Sequence, residues 1–439
     1  MQDIIAALAT ARGKGGVAIV RISGEGSKDL AQKLFTPWDE PKARYMYYGQ
    51  MCYEGTVIDK GLAVWFEKGR SFTGEETVEL HCHGGERVSA LVLEAAIRAG
   101  ARPAEAGEFT KRAFLNGMID LSEAEAVGDI IQAESKAAVL LAGRSLSGGI
   151  GEKVEEFRSI ITDTLAAIEA NIDYPDEVSE QYTRDQALAH IKQLITRIEA
   201  LISTYQSGRM HKEGISVCIM GRPNAGKSSL MNCLCGRDSA IVTPIEGTTR
   251  DVLHETVEMD GVAVHLYDTA GLRQSEDEIE QIGILRARKQ AELADIVLYM
   301  VDGAAGLTAE DERELAWLND SGKRYELVVN KSDLADKVSL DGIRISAATG
   351  EGVDNIRAVI TRDAGDTAEG ITLTSLRHLN ALQNATDALN DALLAAEDMP
   401  LDCVSIDIHR AWEELGQITG QSVNEEIIDR IFASFCVGK

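Results

Sequence analysis

The chain has 439 residues, 44% of them hydrophobic, and a formal net charge of −27 at pH 7. This length predicts two or three domains, and the composition is ordinary for a globular protein with a sizeable core. The charge argues against a broad electrostatic grip on nucleic acid, because such binding needs Lys and Arg to neutralise phosphates. A nucleic-acid substrate would therefore need a local basic patch or a partner protein.

The sequence predicts neither a membrane anchor nor a disulfide framework. No apolar run approaches the roughly 18 residues of a membrane helix, and the first residues lack the basic and apolar regions of a secretory signal. The seven cysteines are scattered, which suits a reducing compartment. We therefore expect a cytoplasmic protein with no membrane association.

The first part of the chain predicts a β-rich α+β domain, which we place at residues 1–117. Short β-branched or aromatic runs separated by turn signals lie at residues 17–22, 45–53, 62–66 and 77–82. A helix is expected at residues 86–99, where the apolar spacing is helical and ends at Gly100.

Two further segments have a helical pattern, from residue 122 to about residue 207 and from residue 371 to the C-terminus. Ser122 is followed at the third position by Glu125, which predicts a capping box at the first helix. Neither segment has an obvious core of its own. We expect them to pack on each other as one all-α domain, residues 118–212 and 367–439, with a separate domain inserted at residues 213–366.

The insert alternates strand and helix, which predicts a Ras-like, doubly wound α/β domain and makes the whole chain a multidomain α/β protein. A strand is expected at residues 215–220 and a helix at 228–235. A hairpin is expected to turn at Asp260-Gly261. Apolar runs at 296–301, 327–329 and 343–345 supply further strands.

A phosphate-binding loop is predicted at residues 221–228, Gly-Arg-Pro-Asn-Ala-Gly-Lys-Ser, which fit GxxxxGK[ST] between a strand and a helix. Backbone N–H groups of such a loop wrap phosphates, helped by the helix N-terminus. Lys227 would reach the β- and γ-phosphates, and Ser228 would supply an oxygen to Mg²⁺. After a later strand, Asp268 can reach Mg²⁺ through water and Gly271 can meet the γ-phosphate.

Guanine selection is predicted from residues 330–333, Asn-Lys-Ser-Asp, at the end of a strand. The Asp333 carboxylate can accept hydrogen bonds from N1 and N2 of guanine, donors that adenine does not present. Residues 346–348 follow the last strand and fit the loop that supports the base. Four motifs in this order resemble the translation-factor-like GTPases. The predicted GTP-binding residues are Asn224, Ala225, Gly226, Lys227, Ser228, Ser229, Thr243, Pro244, Ile245, Glu246, Gly247, Thr248, Thr249, Asp268, Thr269, Ala270, Gly271, Asn330, Lys331, Asp333, Ser346, Ala347 and Ala348.

The hydrolytic mechanism must differ from that of Ras-like proteins, because Leu272 stands where they carry a water-orienting Gln. The resemblance implies that a K⁺ ion supplies the charge of an arginine finger. It also implies that Glu280 positions the attacking water; the alternative is a solvated glutamate in an acidic run. The implied K⁺ ligands are Asn224, Thr243, Ile245 and Thr248, and the implied Mg²⁺ ligands are Ser228 and Thr249.

The chain resembles the MnmE (TrmE) family of tRNA-modification GTPases over essentially its whole length. The resemblance lies in residues 15–24, 71–76, 79–85, 109–117 and the tail at 435–439. It implies a homodimer whose GTPase domains meet in the presence of K⁺ and GTP. It also implies a flavoprotein partner of the MnmG (GidA) type, with which the chain installs an aminomethyl-type group at C5 of the wobble uridine of certain tRNAs.

The resemblance further implies an N-terminal site for 5-formyl-tetrahydrofolate or a related tetrahydrofolate. By family match its residues are Arg21, Glu79, Met118 and Lys439, with Cys436 nearby as a functional, candidate catalytic thiol. A pterin edge suits a carboxylate such as Glu79, while Arg21 and Lys439 can meet anionic groups. Met118 stands where the family often has Lys, so that contact is either lost or supplied by a neighbour such as Lys111 or Arg112.

Three alternatives stay open at this point. The chain could be a regulatory switch, such as a ribosome-assembly GTPase, with no chemistry of its own. It could also be a folate-dependent methyl- or formyl-transferase regulated by GTP. His81-Cys82-His83 could bind a metal, although two histidines on one strand face with no fourth ligand favour polar contacts in or near the folate pocket instead.

Overall fold

The computed structural model describes residues 3–174, 176, 179–237, 254–268, 279–334, 340–365 and 370–439. The chain divides into two compact units. One consists of Met1–Ile131, Ser145–Thr196 and Asn380–Lys439, and the other of Gln132–Arg144 and Arg197–Leu379. The four-range division into functional domains remains a prediction.

The N-terminal part of the first unit is a mixed sheet with three helices. The strands are β1 (Ile5–Leu8), β2 (Val17–Ser23), β3 (Phe35–Thr36), β4 (Tyr47–Tyr53), β5 (Thr56–Phe66), β6 (Thr77–His83) and β7 (Arg102–Pro103). The helices are α1 (Ser27–Gln32), α2 (Glu86–Arg98) and α3 (Glu108–Leu115). The strand order is β3-β4-β5-β6-β2-β1-β7, antiparallel except for β1 and β7. The predicted strands and α2 are confirmed; the shorter elements carry too little periodicity to be predicted.

The two faces of this sheet differ, because successive side chains of a strand point to opposite sides. Ala18, Val20 and Ile22 of β2 are buried in a core that includes residues of α1 and α2. Arg21 points to the other side, where it pairs across the strands with Ala7. Ala7 packs with Phe109 of α3 in a smaller cluster. The sheet therefore lies between α1 and α2 on one side and α3 on the other.

Five helices follow: α4 (Leu121–Gln132), α5 (Lys136–Leu146), α6 (Gly149–Asp173), α7 (Glu180–Ile202) and α8 (Tyr205–Glu213). The capping box predicted at Ser122 is wrong by two residues. The Asp120 carboxylate accepts a hydrogen bond from the Glu123 backbone N–H, and the Glu123 carboxylate accepts from the Asp120 N–H, both at 2.8 Å. A carboxylate is the stronger acceptor for an orphaned N–H, so Asp120 becomes the cap and Ser122 lies inside the helix.

The second unit contains a six-stranded sheet. Its strands are β8 (Ile215–Gly221), β9 (His254–Met259), β10 (Val262–Asp268), β11 (Ile296–Asp302), β12 (Tyr325–Asn330) and β13 (Ile343–Arg344). Its helices are α9 (Lys227–Arg237), α10 (Ile279–Leu293), α11 (Ala309–Asp320) and α12 (Val353–Thr361). The order is β13-β12-β11-β8-β10-β9, with only β9 antiparallel. The hairpin turn at Asp260 and Gly261 is confirmed, both having positive φ (51° and 82°).

Helices cover both faces of this sheet, as the doubly wound prediction requires. Val217 and Ile219 of β8 share a core with Leu230 of α9 and Ile356 of α12. The intervening residue Cys218 lies in a second core, which includes residues of α10 and α11. The parallel strands β8, β11 and β12 all end at the same edge of the sheet, which is where ligands bind in such folds.

The chain ends in α13 (Leu376–Asp398), α14 (Leu401–Thr419) and α15 (Glu425–Ala433). Helix α14 packs along α6. Its buried residues Val404, Ile408, Ala411 and Leu415 follow the three- and four-residue spacing of an amphipathic helix. None of the helices that the structure describes is long and apolar enough to cross a membrane.

Candidate functional site

The predicted phosphate loop connects β8 to α9. Asn224 in the loop has a left-handed backbone (φ 63°) and an exposed side chain. Gly226 has φ +101°, and a Cβ there would collide with the Asn330 side-chain amide, so the loop needs glycine at this position. The Lys227 ammonium donates to the carbonyl oxygens of Gly221 (2.7 Å) and Arg222 (2.9 Å), which holds its charge against the loop.

A hydroxyl and a carboxylate meet at the start of α9. Ser228 Oγ donates to Asp268 Oδ2 at the end of β10, with an O···O distance of 3.0 Å. These are oxygen groups of the kind that Mg²⁺ prefers. The pair fits the prediction that Ser228 binds the metal directly and Asp268 reaches it through water.

Asn330 ties the phosphate loop to the predicted base-supporting loop. Its side chain is buried (3% exposed) and donates to the Ala225 carbonyl oxygen at 2.7 Å. Its Oδ1 accepts from the Ala347 backbone N–H at 2.9 Å. One side chain therefore sets the distance between the loop that would hold the phosphates and the loop that would hold the base.

Lys331 and Asp302 form an ion pair that the sequence did not predict. Lys331 Nζ lies 2.6 Å from Asp302 Oδ2, and Asp302 pairs with Asn330 across β11 and β12. Burial acts to raise the pKa of Asp302, but the hydrogen bond and charge of Lys331 and the backbone N–H groups of Ala304 and Ala305 together outweigh it and hold the pKa below the usual range. The available signal was the position of Asp302, directly after the apolar run of residues 296–301 and so at the ligand-binding edge of the sheet.

These residues surround a cavity of about 650 Å³, a size suited to a nucleotide. The predicted GTP-binding residues that line it are Asn224, Gly226, Lys227, Ser228, Ser229, Asn330, Lys331, Asp333, Ser346, Ala347 and Ala348. Ala225 and Asp268 contact this set through the bonds given above. The lining also includes Ala287, Tyr299, Glu310, Glu314 and Leu334, which come from several elements and carry no local motif.

Several predicted residues lie outside the described part of the chain. These are Thr243, Pro244, Ile245, Glu246, Gly247, Thr248, Thr249, Thr269, Ala270, Gly271 and Leu272. Glu280 belongs to the first turn of α10, but its side chain is also outside the described atoms. Their roles remain predictions.

A second group of predicted residues meets on the α3 side of the N-terminal sheet. Arg21 and Glu79 pair directly across β2 and β6, with Arg21 Nε donating to Glu79 Oε1 at 2.9 Å. Nε2 of His81 lies 3.4 Å from the other carboxylate oxygen. Burial acts to raise the pKa of Glu79, but His81 and Arg21 outweigh it and hold the pKa below the usual range. Glu79 is therefore ionised near neutral pH.

Two aromatic rings lie beside this pair, and Met118 and Lys439 contact the segments that carry them. The Arg21 guanidinium lies 5.5 Å from the centre of the Phe72 ring and 5.6 Å from that of Phe109. The backbone N–H of Phe109 donates to the Lys439 carbonyl oxygen at 3.2 Å. Met118 is 40% exposed and packs beside Gly74, two residues after Phe72. Arg21 therefore lies beside both rings with Glu79 bonded to it, while Met118 lies beside Gly74 and Lys439 contacts the backbone of Phe109.

Lys111 and Arg112, the two cations considered as substitutes for the Lys that the family often has at position 118, are both paired with carboxylates. Arg112 is buried and bonded to carboxylates of Asp3, Glu75 and Glu108. Lys111 pairs with Asp429. Arg112 is thus held by three carboxylates and Lys111 by one, and which group makes the contact at position 118 remains a prediction.

The C-terminal tail lies against the N-terminal sheet region. The backbone N–H of Gly107 donates to the Cys436 carbonyl oxygen, and Val437 forms a β-bridge with Ala106. Cys436 itself is exposed. In the His81-Cys82-His83 run, Cys82 is buried and His83 pairs with Asp59. Within the described residues, no group of three or more His, Cys, Asp or Glu side chains is arranged to hold a metal ion.

Comparison with known proteins gives a consistent result. A family model described as "MnmE helical domain" matches residues 121–436, and one described as "GTP-binding protein TrmE N-terminus" matches residues 4–118. The "tRNA modification GTPase MnmE" of Carboxydothermus hydrogenoformans is 40% identical over 465 residues, and that of Symbiobacterium thermophilum is 41% identical over 457. Each alignment covers 100% of both chains.

Among solved structures, Aquifex aeolicus Era bound to GDP·AlF4⁻ is 25% identical, with a TM-score of 0.29 over 43% of this chain and 69% of that chain. The family assignment rests on the full-length relatives and on the two family models. The chain belongs to the MnmE family of tRNA modification GTPases and is a GTP-hydrolysing enzyme.

Proposed function

We propose that this chain is a potassium-activated, dimerisation-dependent GTPase that drives C5 aminomethyl-type modification of the wobble uridine of certain tRNAs. It works in the cytoplasm with a tetrahydrofolate one-carbon donor and a flavoprotein partner. The observation that carries the proposal is the presence, in one chain, of a nucleotide-sized cavity lined by Lys227 and Asp333 and a separate Arg21–Glu79 pair beside two aromatic rings. A regulatory switch needs only the first of these.

The residues of the nucleotide cavity divide the work of GTP hydrolysis. Lys227 and the loop N–H groups neutralise the phosphates, and Ser228 and Thr249 hold Mg²⁺. Asp333 accepts from guanine, and the Asn330 bridge keeps base and phosphates at a fixed separation. Such pre-set geometry is the main route by which phosphoryl transfer is accelerated.

A monovalent cation supplies the remaining charge at the transition state. Asn224 lines the cavity with a left-handed backbone and an exposed side chain, and its amide oxygen can therefore face an ion. Thr243, Ile245 and Thr248 complete the K⁺ site, and Glu280 orients the water, since Leu272 has no group that can do so.

The N-terminal group fits a reduced pterin. The ionised Glu79 can accept from ring N–H donors, and Arg21 and Lys439 can meet anionic groups of the same ligand. Phe72 and Phe109 offer ring faces beside Arg21. Met118 does not supply the cation that a Lys at this position would provide. The tetrahydrofolate supplies a one-carbon unit, and Cys436 lies in the tail that borders the same region.

The cation requirement has a direct test. Replacing K⁺ by Na⁺ should lower GTP turnover by about tenfold or more, because the smaller Na⁺, although equal in charge, fits a ligand set sized for K⁺ poorly and would not place its charge on the phosphates as an arginine finger does. Mant-GDP affinity, measured in both salts, controls for nucleotide binding. Equal turnover in the two salts would contradict the K⁺ assignment. Unchanged wobble-uridine modification in cells that lack the chain would instead favour the regulatory switch.

A further inference from the structure

A second cavity, of about 470 Å³, lies between the loop of residues 9–16 and helix α2. The loop contributes Arg12 and Lys14, and α2 contributes Glu86, Ala90 and Leu93. The cavity is built within the N-terminal part of the first unit. Nothing in the proposed GTP or folate chemistry uses it.

This cavity is on the opposite side of the sheet from the Arg21–Glu79 pair. Ala18, which lines it, belongs to the core beneath α2, and Leu8, also in the lining, packs against that core. Arg21 is an odd number of residues from Ala18 along β2 and therefore points to the α3 side. The cavity is thus a separate site and not an extension of the predicted folate site.

The loop beside the cavity is held in place. The Gly15 N–H donates to the Gly84 carbonyl oxygen at 2.7 Å, and the Gly84 N–H donates to the Gly16 carbonyl oxygen at 3.4 Å. A Cβ on Gly84 would collide with the Gly15 backbone, so this close approach requires glycine. Because the loop is tied to the segment that precedes α2, a ligand needs to order little of it on binding.

The cavity has an excess of positive charge next to an apolar wall. Arg12 and Lys14 are both exposed, and neither has an ion-pair partner among the residues that the structure describes. Glu86 is the only acidic residue of the lining. Ala90 and Leu93 supply apolar surface on α2. This combination suits a ligand with an anionic group attached to a ring.

The distribution of charge along the chain favours a polyanion at this place. Residues 1–117 contain 15 basic and 15 acidic residues, so the net charge of −27 resides entirely in residues 118–439. A nucleic acid is repelled by a field of its own sign. The neutral N-terminal part, with two cations at a cavity that have no ion-pair partner in the described part of the chain, is the region where such repulsion is weakest.

We propose that this cavity is the chain's own contact with RNA and receives one nucleotide of the tRNA. Arg12 and Lys14 neutralise its phosphate, and the Ala90–Leu93 wall of α2 packs against its base or ribose. The identity of the RNA rests on the proposed function. Two phosphate contacts give only weak binding of tRNA. The flavoprotein partner supplies the rest of the affinity.

The charge contribution is tested with the full-length chain and a fluorescently labelled anticodon stem-loop RNA. The double variant Arg12→Ala/Lys14→Ala should bind about 25-fold more weakly at about 0.1 M salt, with a salt slope lower by about 1.4, because each single-strand phosphate contact contributes about 0.7. The control Lys33→Ala/Lys68→Ala removes two exposed cations outside the cavity and should change affinity by less than about threefold. An equal loss in both double variants would overturn the site.

The cavity itself is tested without changing charge. Ala90→Phe fills it from the exposed face of α2 and should weaken RNA binding while leaving the salt slope unchanged. Leu91→Phe, on the next residue and outside the lining, is the control and should bind as the wild type does. Unchanged binding by Ala90→Phe contradicts insertion of a nucleotide. Uridine monophosphate that binds as tightly as the stem-loop would overturn RNA in favour of a free nucleotide.

Failure of this inference and failure of the proposed function give different results. If cells lacking the chain lose wobble modification but the Arg12 and Lys14 variants bind RNA normally, the inference is wrong and the proposed function stands. If the variants lose RNA binding while wobble uridines are unaffected by loss of the chain, the RNA site stands and the proposed function is wrong. GTP turnover measured on each variant verifies that it is folded.

Discussion

Replacing Asn330 by alanine should lower the free energy needed to open the region around the nucleotide cavity. The side chain makes two buried hydrogen bonds, to the Ala225 carbonyl oxygen at 2.7 Å and from the Ala347 N–H at 2.9 Å. Each such bond contributes about 1 kcal/mol, and each buried partner left unpaired costs about 1–3 kcal/mol. Allowing for relief by entering water, we expect a loss of about 2–4 kcal/mol in the free energy of opening of this region.

This loss corresponds to a change of about 30- to 900-fold in the opening equilibrium. Amide hydrogen exchange is the suitable assay, because it measures the opening of β12 and the phosphate loop separately from the opening of the other unit. Mant-GDP affinity should fall in parallel. The control is Asn319→Ala, which removes one hydrogen bond from the exposed surface of the same unit and should change stability by less than about 0.5 kcal/mol. Equal effects of the two substitutions would refute the bridging role of Asn330.

Two further predictions concern the water-positioning residue and the Arg21–Glu79 pair. Glu280→Ala should slow GTP hydrolysis by about 100-fold or more at nearly unchanged nucleotide affinity, whereas Glu292→Ala, an exposed residue of the same helix, should not; single-turnover rates check this. Because the folded-state pKa of Glu79 is depressed, its stabilisation is complete above the ordinary glutamate pKa and is lost as the pH falls through the lowered value. Arg21→Ala should therefore lower the urea midpoint near pH 7 and reduce its further fall towards about pH 3; a pH dependence equal to the wild type would contradict the pairing.

The features that the sequence predicts correctly are those specified by short runs of consecutive residues. The phosphate loop, the Asn330–Asp333 segment and the Asp260-Gly261 turn are each specified by a few consecutive residues, and the structure places them on the expected strands and turn. Asp302, which ends an equally visible strand, is not predicted because its role depends on Lys331, the residue directly after the neighbouring strand.

Contacts between distant segments were not predictable in the same way. Ser122 and Asp120 both have a glutamate at the third following position, and the cap forms at Asp120, whose carboxylate is the stronger acceptor. The sequence shows Arg112 as a cation close to Met118 along the chain. It does not show that Arg112 is bonded to three carboxylates, those of Asp3, Glu75 and Glu108. Choices of this kind depend on which segments meet, and spacing along one segment does not contain that information.

The central claim is that GTP turnover at this site drives wobble-uridine modification. Mass spectrometry of wobble nucleosides tests it most directly, in cells that lack the chain and in the same cells supplied with wild type or Asp333→Ala. The account predicts that C5 aminomethyl-type modification is lost in the deletion, restored by the wild type and not restored by Asp333→Ala. Unchanged C5 modification in the deletion would contradict it.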